Sequence, residues 1–159
     1  MKTGRRHCKD RHLARRVARL RSVQALFQME ASGADIDQVT EEFENFSLSE
    51  SEEGDMVGQG DMQFFHMLVS GAVTNQSKID QATDKALIDA WPLGRIDPTL
   101  RALFRCACAE LLSDTVPPRV TITEFVEVAD AFFPEGRTTK FANGVLDSIA
   151  RQIRPEKFD

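Results

Sequence analysis

Apolar residues recur at every third or fourth position through most of the 159-residue chain, which is the spacing of one face of an α-helix. The pattern is clearest in residues 64–73 and 100–112. Alternation of the kind that predicts β-strands never extends beyond a few residues, and the sequence has no fixed-period repeat. The pattern therefore predicts an all-α protein of about seven helices, joined by short connections into a helical bundle.

Capping and turn residues predict several helix ends. Ser32-Gly33 ends the first helix, and Asp97-Pro98 supplies a cap followed by a proline in the first turn of a later one. Thr121 and Glu124 have the spacing of a capping box, which predicts another helix start. Residues 47–61 are polar and acidic and include three glycines, so we expect a surface loop there.

The first helix has two chemically different faces. At 100° per residue, the apolar face lies within about 40° of Leu13. It consists of Leu13, Val17, Leu20, Gln24 and Phe27. An arginine strip lies on the far side, with a fourth arginine at the border; these residues are Arg11, Arg15 and Arg19, and then Arg16. The wheel predicts that the apolar face packs in the core and that the arginine strip is exposed.

Charge is distributed very unevenly along the chain. Residues 1–21 contain nine Lys/Arg and one acid, a net charge of +8, whereas the other 138 residues contain 11 Lys/Arg and 24 acids, a net charge of −13. We expect residues 1–10 to form a flexible basic arm. A basic chain end on an acidic body is typical of a local site for a polyanion such as nucleic acid.

Two explanations fit the arginine strip. Like charges four residues apart weaken an isolated helix by roughly 0.2–0.5 kcal/mol per pair, so the strip needs a compensating interaction. Phosphate groups would provide one, since their neutralisation releases counterions. The alternative is a solvated polar face that forms salt bridges with the acidic body.

The cysteines and histidines do not predict a disulfide framework or a metal site. Cys106 and Cys108 lie in a helical pattern and fit small core residues. His7, Cys8 and His12 could contribute metal ligands, but no nearby residue completes a four-ligand set. With no apolar run long enough for a bilayer and no signal-peptide pattern, we expect a cytoplasmic protein that does not contact a membrane.

Four segments of the chain carry a family signature. They are KFANGVLDSIARQIRP (residues 140–155), ITEFVEVADAFF (122–133), LFRCACAELL (103–112) and VQALFQ (23–28). Together, and in this order along the chain, they closely resemble the NusB family of bacterial transcription antitermination factors, and in particular its alphaproteobacterial members. The resemblance covers residues 11–155, leaving residues 156–159 as a tail and the acidic segment 47–61 unmatched.

This resemblance implies both a fold and a function. It implies two packed helical subdomains and binding to the boxA element of ribosomal RNA leaders together with the ribosomal protein NusE. Other Nus factors and RNA polymerase would be contacted indirectly, through the complex. The resemblance implies no catalysis and no cofactor, so the chain would not be an enzyme. Members of the family differ in oligomeric state, and a homodimer is compatible with the sequence.

The resemblance also assigns roles to particular residues. The RNA-binding residues would be Arg11, Arg15, Arg16, Arg19, Lys140 and Phe141. Phe141 also lies on an apolar stripe with Val145, so core packing is an equal alternative for it. Gly144 lies inside the predicted last helix, at a cost of about 1 kcal/mol, and we expect close helix packing to be the reason.

The surface for NusE is implied at two positions. Phe27 stands where the family often has tyrosine at the partner face, and Arg101 lies in the first turn of the helix that begins at Pro98. The alternative for Phe27 is the protein core, because it continues the apolar face of the first helix.

Two other functions fit parts of the sequence. A NusB-like domain also begins certain ribosomal RNA cytosine methyltransferases, but this chain has no glycine-rich cofactor loop. A protein-binding helical module with a merely solubilising basic arm is the other alternative. Salt dependence separates that module from an RNA-binding protein, because phosphate contacts weaken steeply as salt rises.

Overall fold

The structure, a computed structural model, describes the backbone of residues 2–52, 61–87 and 96–158, and the side chains of residues 11–46, 61–87 and 96–158. In these ranges the chain is helical and contains no β-strand, which confirms the predicted all-α class. The helices are α1 (Lys2–Ser32), α2 (Ile36–Glu52), α3 (Met62–Thr74), α4 (Gln76–Leu87), α5 (Pro98–Ser113), α6 (Pro118–Phe132) and α7 (Gly136–Ile153), followed by a 3₁₀ turn (Pro155–Lys157). Among these described helices, none has the length and apolarity needed to cross a membrane.

The chain divides into two compact units, which we call unit 1 (Met1–Val69) and unit 2 (Ser70–Asp159). Unit 1 contains α1, α2 and the beginning of α3, whereas unit 2 contains the end of α3 and helices α4 to α7. This division agrees with the two helical subdomains that the sequence resemblance implied.

Aromatic side chains form the centre of unit 1. Helix α1 packs against α2, and Phe43 of α2 stacks on Phe65 of α3 with ring centroids 4.1 Å apart and nearly parallel planes. Both rings are buried. Asp61 caps α3, because its Oδ1 accepts a hydrogen bond from the Phe64 backbone N–H at 2.9 Å. The Asp61 N–H donates to the carbonyl of Ala14 at 3.2 Å, which ties the start of α3 to α1.

Helix α5 packs against α4, α6 and α7, and most of its residues are buried. It begins as predicted, with Asp97 Oδ1 accepting from the Thr99 N–H at 2.7 Å and Pro98 in the first turn. Cys106 and Cys108 are fully buried in it, which confirms them as core residues. Burial raises the pKa of the Cys108 thiol to about 12.

Three expectations about local structure need correction. The backbone of residues 2–10 belongs to α1 and is helical, where a flexible arm was expected. Helix α2 continues through residues 47–52 of the expected acidic loop, since the first helix-breaking glycine is Gly54; residues 53–60 lie outside the described ranges. Helix α6 begins at Pro118, so Thr121 and Glu124 are buried inside it and do not form a capping box.

Candidate functional site

Helix α1 packs with the opposite face to the one that the helical wheel predicted. Its buried residues are Ala18, Arg19, Ser22, Val23, Ala25 and Leu26, and they centre about 200° from Leu13. Leu13 and Phe27, predicted to be in the core, are 37% and 40% exposed. This face of α1 is the buried one because its small residues Ala18, Ser22 and Ala25 allow neighbouring helices to approach closely. The buried phenylalanines of α2 and α3 fill the space beside it.

Two arginines of the predicted strip lie on one aromatic ring. The guanidinium carbon of Arg15 is 5.0 Å from the Phe64 ring centroid, and that of Arg19 is 5.1 Å from it. Both distances fit cation–π contacts. Arg19 is only 2% exposed, so the prediction that it belongs to an exposed strip was wrong. For Arg15 and Arg19, Phe64 therefore supplies a compensating contact inside the protein.

The other two arginines of the strip, Arg11 and Arg16, are exposed, whereas Arg15 is half-buried. The Nε of Arg15 is buried without a hydrogen-bond partner among the described residues, so this nitrogen is closed to a ligand. The candidate site in unit 1 is therefore a pair of accessible cations, Arg11 and Arg16, beside two arginines that an aromatic ring holds in place.

Sequence reasoning did not identify the aromatic partners of these arginines. Phe64 was predicted only as part of an apolar stripe. Arg21 was not predicted as a site residue, yet its guanidinium lies 3.7 Å from the Phe46 ring centroid and donates to Gln24 Oε1 at 3.0 Å. Adjacent aromatic residues in α2 and α3 are a weak signal for such contacts, because the sequence does not show which ring meets which arginine.

Lys140 and Phe141 lie in unit 2, near the start of α7. Lys140 is exposed, and Phe141 is 37% exposed, so Phe141 is not a fully buried core residue. The Phe141 ring meets Phe104 edge to face, with 6.5 Å between centroids. One edge of Phe141 is thus fixed against α5 while part of the ring remains accessible to a ligand.

The two candidate positions for a protein partner also differ in environment. Phe27 is exposed on α1 of unit 1, whereas Arg101 is half-buried on α5 of unit 2. The core alternative for Phe27 is therefore wrong. The side chains of His7 and Cys8 lie outside the described ranges, so the metal-ligand set considered at these residues stays untested.

Comparison with known proteins decides the family. A model of the NusB family matches residues 16–151. The chain belongs to the NusB family. It is 48% identical over 141 residues to the transcription antitermination protein NusB of Caulobacter vibrioides, a match that covers 88% of this chain and 94% of that protein. It is 46% identical over 145 residues to the transcription antitermination protein NusB of Rhodopseudomonas palustris strain BisB18, covering 91% and 85%.

Solved structures of NusB proteins share the fold. NusB of T. maritima superposes with a TM-score of 0.71 at 31% sequence identity, covering 91% of this chain and 96% of that one. A chain from a crystal structure of the antitermination factors NusB and NusE in complex with dsRNA superposes with a TM-score of 0.66. Its sequence identity is 22%, over 87% of this chain and 97% of that one, so this second likeness concerns the fold alone. The predicted resemblance to the NusB family is confirmed.

Proposed function

We propose that this chain is an RNA-binding transcription antitermination factor that binds a boxA-type ribosomal RNA leader sequence together with NusE. Membership of the NusB family, whose relatives above are transcription antitermination proteins, carries the proposal. The crystallised complex that shares the fold, in which NusB and NusE are bound to dsRNA, supports NusE and RNA as the partners. In the cytoplasm, other Nus factors and RNA polymerase would join through this complex, and no catalytic step is required of the chain.

The arginines of α1 have different roles in this proposal. Arg11 and Arg16 are exposed and can contact phosphate oxygens directly. Arg15 is half-buried against Phe64, so it can offer the outer edge of its guanidinium to RNA. Arg19 is buried on the same ring and would not touch RNA; its role is to hold this part of α1 against α3. Because the chain beyond residue 21 has a net charge of −13, RNA would be drawn to the arginine helix.

Lys140 and Phe141 would form a second contact. Lys140 provides an exposed cation, and the accessible part of Phe141 provides a surface for one unpaired base. Stacking on an aromatic side chain contributes roughly 1–3 kcal/mol per base. The edge contact with Phe104 orients the ring before RNA arrives, which lowers the entropy lost on binding.

An exposed apolar strip on α1 supports the NusE surface. Leu13 and Phe27 are exposed at its two ends, and Val17 and Leu20 are half-buried between them. A strip of this kind on the surface of a protein fits an interface with another protein. We assign it to NusE, with Arg101 as a further contact, and the competing occupant is a second copy of this chain.

The test of RNA binding is a titration of fluorescein-labelled boxA-type RNA, followed by fluorescence anisotropy. Replacing both Arg11 and Arg16 with alanine should weaken binding and lower the slope of log affinity against log salt by about 1.4, at about 0.7 per lost phosphate contact with a single strand. Arg119→Ala is the matched control, because it removes an exposed cation of α6. Equal affinity and slope for the double variant and wild type would contradict the assignment of Arg11 and Arg16.

A second titration tests NusE. NusE should tighten RNA binding by the wild type, and Phe27→Ala should remove this effect while leaving RNA binding without NusE unchanged. Light scattering of the free protein and of the mixture reports whether the strip joins two copies of the chain. A homodimer that NusE does not dissociate, combined with unchanged NusE binding by Phe27→Ala, would contradict the assignment of the strip to NusE.

A further inference from the structure

Gly144 differs from the other glycines whose surroundings the structure describes. Gly33 has a φ of +76° after the end of α1, a conformation that glycine adopts without strain. Gly71 packs so closely on α5 that a Cβ added there would lie 3.3 Å from the Ala109 Cβ. Gly136 is the first residue of α7. Gly33 and Gly71 thus have a reason for glycine within the chain, and at the helix start Gly136 avoids the cost that glycine has in a helix interior.

Gly144 has none of these reasons. It lies in the interior of α7, is exposed, and a Cβ added there would meet no atom within 4 Å. The close helix packing expected from the sequence is therefore absent at this position in the described part of the chain. A glycine inside a helix lowers stability relative to alanine. The space left by the missing side chain is open to a ligand.

The exposed face around Gly144 is basic. At 100° per residue, Arg137, Lys140 and Arg151 fall within about 60° of one another, and Gly144 lies between them. The acid on this face, Asp147, is paired with Arg151 at 2.9 Å. Phe141, 37% exposed, lies beside the face. A basic face with an accessible aromatic ring at its side fits the charge and the flat bases of single-stranded nucleic acid.

We propose that Gly144 is a contact point for RNA, where the missing side chain allows the sugar-phosphate backbone to lie directly against α7 between Lys140 and Arg151. Lys140 lies one turn before Gly144 and would hold a phosphate, while Phe141 would stack a neighbouring base. A side chain at position 144 would hold the RNA backbone away from both residues. The inference rests on the proposed RNA-binding function and adds to it a steric determinant in the middle of α7.

The test is a series of increasing size, Gly144→Ala and Gly144→Leu, titrated with fluorescein-labelled single-stranded boxA-type RNA. Both substitutions introduce strong helix formers at an exposed site, so the melting temperature should rise by roughly 2–4 °C for alanine. RNA affinity should fall in order of size, by roughly fivefold or more for alanine and further for leucine. Gly136→Ala is the matched control, because it adds the same methyl group to an equally open site on the same helix.

Each outcome decides between the inference and its alternatives. Opposite changes in stability and RNA affinity, with the control within about twofold of wild type, support the contact. If Gly144→Leu binds RNA as tightly as the wild type, the contact at Gly144 is rejected although the protein still binds RNA. If Gly136→Ala loses as much RNA affinity as Gly144→Ala, the contact is also rejected. A loss of NusE binding with unchanged RNA binding would overturn it in favour of a protein contact. Failure of the wild type to bind RNA would instead reject the proposed function.

Discussion

Arg15 and Arg19 contact the same ring, and we predict that the burial of each arginine, and not its distance from the ring, determines its cation–π coupling energy. The two guanidinium carbons lie at nearly equal distances from the Phe64 centroid, 5.0 and 5.1 Å. Arg19 is 2% exposed and Arg15 is half-buried. Water competes with the ring for an accessible cation, so a cation–π contact contributes about 0.5–1 kcal/mol when exposed and about 2 kcal/mol when desolvated.

The perturbation is Phe64→Leu, which removes the π-system but keeps an apolar side chain. Combined in double-mutant cycles with Arg15→Met and with Arg19→Met, it isolates each coupling energy. We expect about 2 kcal/mol for Phe64 with Arg19 and about 0.5–1 kcal/mol for Phe64 with Arg15. Arg15→Met by itself should cost little, since it also removes a buried Nε that has no hydrogen-bond partner.

The assay is equilibrium urea unfolding followed by circular dichroism. Phe65→Leu is a suitable control, because Phe65 is the next residue, is fully buried and stacks on Phe43; it should show no coupling to Arg19→Met. A coupling energy for Arg15 equal to or larger than that for Arg19, or values for both within about 0.3 kcal/mol of zero, would refute the reasoning. The same data test the expectation that Arg19→Met destabilises the fold more than Arg15→Met does.

Two further predictions concern unit 2. Asp97→Ala should lower the free energy of unfolding by about 0.5–2 kcal/mol, because it removes the cap on the Thr99 N–H, while Asp97→Asn should retain most of it; equal urea midpoints for the two variants would contradict this role. Burial raises the pKa of the Cys108 thiol from 9.0 to about 12. Between these two pH values the thiol ionises in the unfolded chain but stays protonated in the native protein. The contribution of Cys108 to stability is therefore complete below pH 9 and is lost as pH rises towards about 12. Cys108→Ala should therefore show a smaller fall of the urea midpoint above pH 9 than the wild type, and equal falls would contradict the shift.

Features that depend on neighbouring residues in the chain could be predicted from the sequence. The end of α1 at Gly33 and the start of α5 at Asp97 follow from local backbone and capping chemistry, and the structure has both. The helical continuation of α2 through residues 47–52 was missed, because serine and glutamate are tolerated in a helix as well as in a loop. Polarity indicated a surface segment there but did not distinguish a helix from a loop.

The orientation of α1 could not be predicted in this way. Its larger apolar residues suggested one buried face, but α1 also contains Ala18, Ser22 and Ala25 on the other side. Which side packs depends on the volume offered by α2 and α3, and their phenylalanines fit the side with small residues. The same choice brought Arg19 inside and left Phe27 at the surface, and it changed the interpretation of both residues.

By itself, the sequence determined the helical class, the concentration of positive charge in the first 21 residues and the signature of the NusB family, because periodicity, charge and motif are properties of residue order. The tertiary structure alone decided which arginines remain accessible, since Phe64 lies more than forty residues from Arg15 and Arg19 in the chain and meets them only when α3 packs on α1. It also decided that Gly144 faces open space, because whether a missing side chain makes room for a neighbouring helix or for a ligand depends on what the fold places beside it.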